Sequence, residues 1–355
     1  MTRRLRWIAL TQLAGSLVSA CSYHNAMWSA KRHANDARQL EQHGQPSDAR
    51  AQWAQAAAKA KAWRTDDALV LRAEGLAYSG ACRDADAVIA RAQSSVQNVT
   101  RRERIDLADA ECALAGGDAA HAEASLAAPL ASKNADRRSR AEFIAARAAA
   151  SRLDYEAATV HFKRSREAGA AGRALVSEQQ LRVSQATQRA DLTPVASELT
   201  RLLHTVGGTE EAGRVLELLT AVDGVAETPA ARFRVAEVAR DSLHAPVLAA
   251  QLFLDAVAAD SGSLYAPKAL IAALALLPER RDSLVGLLDS RYAASPYTRV
   301  FHGEPSVAYA AAEESLAREL GVQGGVTRSS AVSAARVLFD APVPGPRGPR
   351  FDQAP

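Results

Sequence analysis

The residues best suited to chemistry in this sequence are three cysteines, and the first of them has a distinctive setting. Cys21 directly follows two small residues, Ser19 and Ala20. Residues 7–20 form an uncharged stretch of 14 residues, and the six residues before it include three arginines and no acid. A basic start, an uncharged stretch and small residues at its end are typical of a secretory signal peptide. We therefore predict a signal peptide over 1–20.

The end of this segment, Val18-Ser19-Ala20-Cys21, resembles the lipobox of bacterial lipoproteins. In that family the peptide is cut before the cysteine, whose sulfur and new amino group then carry acyl chains. The resemblance implies that Cys21 is the lipid-attachment residue and that the chain meets the membrane through acylated Cys21. We assign 21–30 as a tether, and Ser22, which is not aspartate, implies the periplasmic face of the outer membrane. A plain secretory signal and a transmembrane anchor remain open, although Gln12 interrupts the apolar stretch that an anchor needs.

No further chemical site is indicated. The eight histidines are scattered, and no two of them stand three or four residues apart, the spacing that would place two ligands on one helix face. The sequence contains no HExxH, GxSxG, GxxxxGK[ST] or GxGxxG motif. We therefore predict no catalytic residue, no metal site and no cofactor, and a protein that is not an enzyme.

The composition predicts the kind of element that positions these residues. The 355 residues include 80 alanines but only 18 aromatic residues. Alanine has the highest helix propensity, whereas β-sandwiches and barrels need β-branched and aromatic strands. We therefore predict an all-α fold.

The charge balance excludes one class of partner. The formal net charge is +3, but residues 1–20 carry three arginines and no acid, so the remainder has 40 basic and 40 acidic residues. Nucleic-acid binding requires a basic surface. We therefore predict no nucleic-acid partner.

A small residue recurs along the first half of the chain at intervals of 36, 37 and 36 residues, and a larger apolar residue follows it four positions later. The pairs are Ala49 and Trp53, Ala85 and Ile89, Ala122 and Leu126, and Ala158 and Phe162; Ala249 and Phe253 repeat the pattern further on. The small residue lets two helices cross closely, and the larger one fills the core. The pattern resembles the tetratricopeptide repeat (TPR), whose usual period is 34 residues. The resemblance implies a right-handed α-solenoid of TPR-like helical hairpins.

Breaks in the helical pattern divide the chain after residue 30 into segments. We predict two TPR-like helical arrays, over 31–204 and 209–302, and a capping helix over 303–322. Five of the 14 prolines lie in residues 342–355. A segment rich in proline and glycine buries little apolar surface, so we predict a largely disordered tail over 323–355.

Two short segments carry a further resemblance. Ser263-Leu-Tyr-Ala-Pro-Lys-Ala-Leu270 and Ser295-Pro-Tyr297 stand about 32 residues apart and resemble turns between repeats of periplasmic TPR lipoproteins, including that of the outer-membrane β-barrel assembly machinery. The resemblance implies a non-enzymatic scaffold or adaptor that binds proteins or peptides of the cell envelope, in outer-membrane protein assembly or secretion. One alternative is a non-catalytic regulator of peptidoglycan synthases or hydrolases. A more remote one is a helical domain related to lytic transglycosylases, although the roughly 50 residues after Phe301 are too few for a catalytic domain.

Two arginine clusters allow two interpretations. Arg101-Arg-Glu-Arg104 and Arg137-Arg-Ser-Arg140 are basic, but acidic residues stand nearby. Such clusters commonly form a solvated helix face. The other interpretation is that they line a groove that grips an acidic peptide.

The two remaining cysteines also have two interpretations. A lipoprotein is exported to an oxidising compartment, where paired cysteines tend to form disulfides. In the repeat register, Cys82 begins the second helix of one unit and Cys112 lies near the end of the first helix of the next, so both fall towards one edge. A disulfide between them is one interpretation, and two separate buried thiols are the other.

Overall fold

A computed structural model describes residues 23–169, 171–206, 210–224 and 226–319, and all the regular elements in these residues are helices. The predicted all-α class is therefore confirmed for the described residues. The signal peptide, Cys21 and the tail over 323–355 lie outside them. None of the described helices is both long and apolar enough to cross a bilayer.

The helices are short and closely spaced. In chain order they are α1 (23–42), α2 (Pro46–Ala60), α3 (Asp66–Tyr78), α4 (Cys82–Ser95), α5 (Val99–Ala115), α6 (Ala119–Ser125), α7 (Ala127–Leu130), α8 (Ala135–Ser151), α9 (Tyr155–Ala168), α10 (Ala171–Ser184), α11 (Leu192–Val206), α12 (Glu210–Asp223), α13 (Pro229–Glu237), α14 (Pro246–Ala259), α15 (Ala266–Leu276), α16 (Arg281–Tyr292), α17 (Pro296–Phe301) and α18 (Val307–Glu319). Single turns of 3₁₀-helix cover Arg189–Asp191 and Pro278–Arg280, and a π-turn covers Val238–Ser242.

The chain forms two compact units. The first runs to Glu178 and includes His204–Glu211; the second contains Gln179–Leu203 and the chain from Ala212 onward. The boundary between the two arrays was predicted at 204–209, whereas Gln179–Leu203 already belongs to the second unit. The predicted capping helix corresponds to α18, which Lys268 of α15 holds through a 2.7 Å ion pair to Glu313.

The tether predicted over 21–30 is mostly part of the fold. Residues 23–30 belong to α1, and Met27 and Ala30 are buried in a core cluster with Trp53 and Leu71. The physical reason is their three-residue spacing, which places Met27 and Ala30 on one face of the helix.

Each predicted pair of a small and a large residue begins at the same place in its helix, and Leu126 is the residue that directly follows α6. The alanines at 49, 85, 122, 158 and 249 are the fourth residues of α2, α4, α6, α9 and α14. All ten paired residues are at most 3% exposed: Ala49, Trp53, Ala85, Ile89, Ala122, Leu126, Ala158, Phe162, Ala249 and Phe253. The first four of these helices begin 36, 37 and 36 residues apart, like the alanines themselves.

The turns before these helices share one backbone conformation. Gly44, Gly80 and Gly117 have φ angles of 69°, 86° and 86°, and Leu153, at the equivalent place in the fourth segment, has φ 65°. Only glycine adopts this left-handed region without steric cost. Three of the four turns therefore use the residue that the conformation favours, and Leu153 adopts the same conformation at a steric cost.

Gly75 fixes how closely α3 approaches α2. A Cβ atom at this position would stand 2.7 Å from the carbonyl oxygen of Trp53 and 2.8 Å from the Cβ of Ala57. Real Cβ atoms do not approach backbone atoms this closely, so no other residue fits without separating the two helices.

We expect Gly75→Ala to lower the free energy of unfolding by about 1–3 kcal/mol, because the added methyl group overpacks the interface between the helices. The matched control is Gly286→Ala in α16, where an added Cβ meets nothing within 4 Å. There, alanine should gain about 0.5–1 kcal/mol from its better helix propensity. Urea unfolding followed by circular dichroism measures both. A stabilised Gly75→Ala variant would show that the two helices are not packed as described.

Candidate binding cavity

A cavity of about 410 Å³ opens in the first unit. Its lining comes from α1, α3, α5, α8 and the start of α10, the first members of successive helix pairs. The charged and aromatic residues of the lining are Arg38, Glu41, Glu74, Tyr78, Arg104, Asp136, Arg137, Arg140, Phe143 and Arg173. Five guanidinium groups face three carboxylates, so the lining carries an excess of two positive charges. Its volume lies within the range of about 300–1,000 Å³ that is usual for ligand pockets.

Glu74 of α3 is held by two arginines from neighbouring helices. Arg104 donates from Nε to Oε1 at 2.7 Å and from Nη2 to Oε2 at 2.5 Å, and Arg38 lies 3.3 Å from Oε2. Burial alone would raise the pKa of the Glu74 carboxyl, but Arg104 and Arg38 outweigh it and the pKa is lowered. Glu74 is therefore ionised at neutral pH, although its residue is only 4% exposed.

Glu41 of α1 joins parts of the unit that are far apart in sequence. It pairs with Arg140 of α8, 99 residues away, and Arg173 of α10 lies 3.8 Å from its Oε1. The indole Nε1 of Trp53 donates to the same carboxylate at 2.9 Å. Burial raises the pKa of Glu41, but Arg140 and Arg173 more than compensate, so the pKa lies below its usual value.

Tyr78 of α3 lies beneath Arg140 of this ion pair. The guanidinium of Arg140 lies 4.2 Å from the centre of the Tyr78 ring, and Trp53 packs against the ring at 5.0 Å between centroids. The Tyr78 hydroxyl is buried and has no hydrogen-bond partner. Burial raises the pKa of Tyr78 strongly, so the hydroxyl keeps its proton and remains a donor.

The two arginine clusters singled out in the sequence are divided by the structure. Arg104, Arg137 and Arg140 line the cavity, and Arg137 pairs with Glu103 at 2.5 Å. The other three have partners outside the lining: Arg101 pairs with Asp67 at 2.7 Å, Arg102 donates to the carbonyl oxygen of Val96, and Arg138 donates to that of Ser132.

Sequence reasoning missed most of the cavity, although one signal for it was present. Three ion pairs join residues of opposite charge that stand 36 residues apart, one interval of the repeating pattern. They are Lys31 with Asp67 at 3.1 Å, Arg38 with Glu74 at 3.3 Å, and Arg147 with Glu111 at 2.8 Å. A search for opposite charges at the repeat interval would have found them.

Cys82 and Cys112 are joined by a disulfide, with their Cα atoms 5.3 Å apart. Cys82 is the first residue of α4 and Cys112 lies in the last turn of α5, so the bond links one helix pair to the next. Leu69, Ile89 and Ile105 belong to the core cluster around it. Cys21, the predicted lipid site, lies outside the described residues.

Metal ligands are not grouped in the described parts of the chain, where no three His, Cys, Asp or Glu side chains could hold one ion. No protein-family model, curated protein or solved structure matches the chain.

Proposed function

We propose that the chain is a non-enzymatic, lipid-anchored scaffold of the cell envelope that binds protein or peptide partners in outer-membrane protein assembly or secretion. It is folded as a right-handed solenoid of TPR-like hairpins. The repeated helix starts and the repeated left-handed turns at Gly44, Gly80, Gly117 and Leu153 support this architecture.

The observation that carries the binding function is the cavity of the first unit. It is lined by the first helix of each successive pair, the arrangement by which helical repeats present one surface to a partner. Its arginines and aromatic rings are residue types enriched at protein interfaces.

The disulfide supports export. Disulfides form and persist in oxidising compartments such as the bacterial periplasm. The lipobox-like sequence at Cys21 would then place the acyl anchor two residues before the described part of α1. The first unit would lie close to the membrane surface, on the periplasmic face of the outer membrane.

Photo-crosslinking in cells tests the binding function. We expect a photoreactive amino acid at Asn35, an exposed residue of the cavity lining on α1, to give defined adducts with envelope proteins. The control position is Val160, which is 43% exposed on α9 and outside the lining. Adducts containing barrel-assembly components support the proposal. Adducts containing murein synthases or hydrolases would instead support a regulator of peptidoglycan enzymes. The same adducts from both positions, or none from Asn35, would overturn binding through the cavity.

We expect Cys21→Ser to abolish both processing and palmitate labelling, because the proposed lipid is attached to the thiol of Cys21. Cys82→Ser is the control and should keep the label. Labelling that persists without Cys21 would exclude the anchor.

A further inference from the structure

We propose that the cavity of the first unit binds the carboxylates of an acidic peptide segment, and that Glu41 occupies the place of such a carboxylate until the peptide displaces it. This inference rests on the proposed binding function and adds the chemistry of the ligand and the residue that competes with it.

The lining favours an anion. Its five arginines exceed its three carboxylates by two, and by one when Glu103, which pairs with Arg137 from outside the lining, is counted. The guanidinium is a planar donor that matches the two oxygens of a carboxylate. Phe143 and Leu107 add apolar wall to the cavity. A side chain with an apolar stem and a terminal carboxylate, such as glutamate, meets both parts of this lining.

Glu41 shows directly that the site accepts a carboxylate. Its oxygens are held by Arg140, by the Trp53 indole and by the field of Arg173, which come from three different helices. A ligand carboxylate that took the place of Glu41 would find the same donors.

Tyr78 supplies a reason for the exchange. Its buried hydroxyl has no hydrogen-bond partner, although Tyr78 belongs to the lining and the Arg140 guanidinium lies over its ring; an unsatisfied buried donor destabilises the state that contains it. The Glu41 carboxylate, fixed on α1, does not accept this hydrogen bond, whereas a ligand carboxylate held by Arg140 is not tied to α1 and can approach the hydroxyl. The closed arrangement therefore carries a penalty that the peptide-bound arrangement relieves.

The chemistry favours peptide over nucleic acid. Outside the first 20 residues the chain carries equal numbers of basic and acidic residues, and Glu74 and Asp136 lie in the lining beside the arginines. A phosphate backbone with regularly spaced charges would meet these carboxylates, whereas a peptide places its acidic groups only where arginines face them.

Fluorescence anisotropy with the purified full chain in detergent tests the proposal. The probe is a labelled hexaglutamate peptide with an amidated C-terminus, and its matched control is hexaglutamine amide. We expect only the acidic peptide to bind, and added salt to weaken it. A hexaglutamine peptide with a free C-terminus shows whether a terminal carboxylate serves as well as a side chain. Equal binding of both amidated peptides, or tighter binding of a dT oligonucleotide, would overturn the proposal.

Two variants separate the roles of Glu41 and Tyr78. Glu41→Gln should tighten hexaglutamate binding, because it removes the internal competitor. Glu111→Gln, which alters the ion pair with Arg147 outside the lining, should not. Tyr78→Phe should weaken binding about tenfold without lowering stability, because the lost hydroxyl has no partner in the free protein. Tyr155→Phe on α9 is its control.

The outcomes distinguish this inference from the proposed function. Unchanged affinity in both Glu41→Gln and Tyr78→Phe would overturn the exchange at Glu41. Defined adducts from Asn35 in cells, together with no hexaglutamate binding, would leave the scaffold standing and refute the acidic ligand. Absence of adducts from Asn35 would instead refute the proposed binding through the cavity, on which this inference rests.

Discussion

Arg140→Gln is expected to lower the free energy of unfolding of the first unit by about 3–5 kcal/mol, the usual cost of removing one partner of a buried ion pair. The Glu41 carboxylate would keep its burial but lose the guanidinium that pairs with it, and only Arg173, 3.8 Å away, would remain as a countercharge. The pKa of Glu41, which Arg140 now helps to hold down, should rise in the variant. Urea unfolding at neutral pH measures the loss.

Arg201→Gln provides the matched control. Arg201 also pairs with a glutamate, Glu198, but its side chain is 62% exposed, so the change should cost less than about 1 kcal/mol. The double variant Glu41→Leu/Arg140→Met should recover much of the loss, because it removes both buried charges and keeps apolar volume. If Arg140→Gln and Arg201→Gln cost the same, the Glu41–Arg140 pair is not buried as described.

Reduction of the Cys82–Cys112 disulfide is expected to lower the free energy of unfolding by about 3–4 kcal/mol. The bond joins residues 30 apart, and on the loop-entropy model a closed loop of this size stabilises by that amount, because it restricts the unfolded chain. Urea unfolding of the purified protein with and without reductant measures the difference.

The variant Cys82→Ser/Cys112→Ser controls for other effects of the reductant, and its stability should not respond to it. Thiol trapping of the denatured, non-reduced protein checks the bond directly. We expect neither cysteine to be alkylated, and two alkylated cysteines would show that the thiols are separate in the native protein.

The positions of the helices were largely predictable because their signals are local. A turn residue, an alanine in the fourth place and a large apolar residue in the eighth lie within a dozen residues of one another, as at Gly80, Ala85 and Ile89. The same register placed Cys82 and Cys112 at one edge of adjacent units, which is where they lie. Lipid attachment at Cys21 stays a prediction.

The cavity was less predictable because its formation depends on the angles between successive helix pairs. Those angles decide that Glu41 meets Arg140, and no spacing in the sequence singles out that pair. Gly75 illustrates the same difficulty. Its role becomes visible only in the folded chain, where a Cβ atom at this position would stand 2.7 Å from the Trp53 carbonyl oxygen on α2. Met27 was assigned to a tether because it stands between the predicted lipid site at Cys21 and the start of the repeating pattern after residue 30, whereas it belongs to α1.

The ion pair between Glu41 and Arg140 also has a consequence for the order of folding. The ribosome adds about 5–20 residues per second, so the 99 residues that separate the two take roughly 5–20 s to synthesise. The pairs α1/α2 and α3/α4 form from contacts close in sequence, whereas the closing contact must wait for α8 and then offset the entropy of a long loop. In any vectorial process the cavity therefore closes only after α1 to α5 are available, and until α8 arrives the carboxylate of Glu41 lacks the countercharge of Arg140.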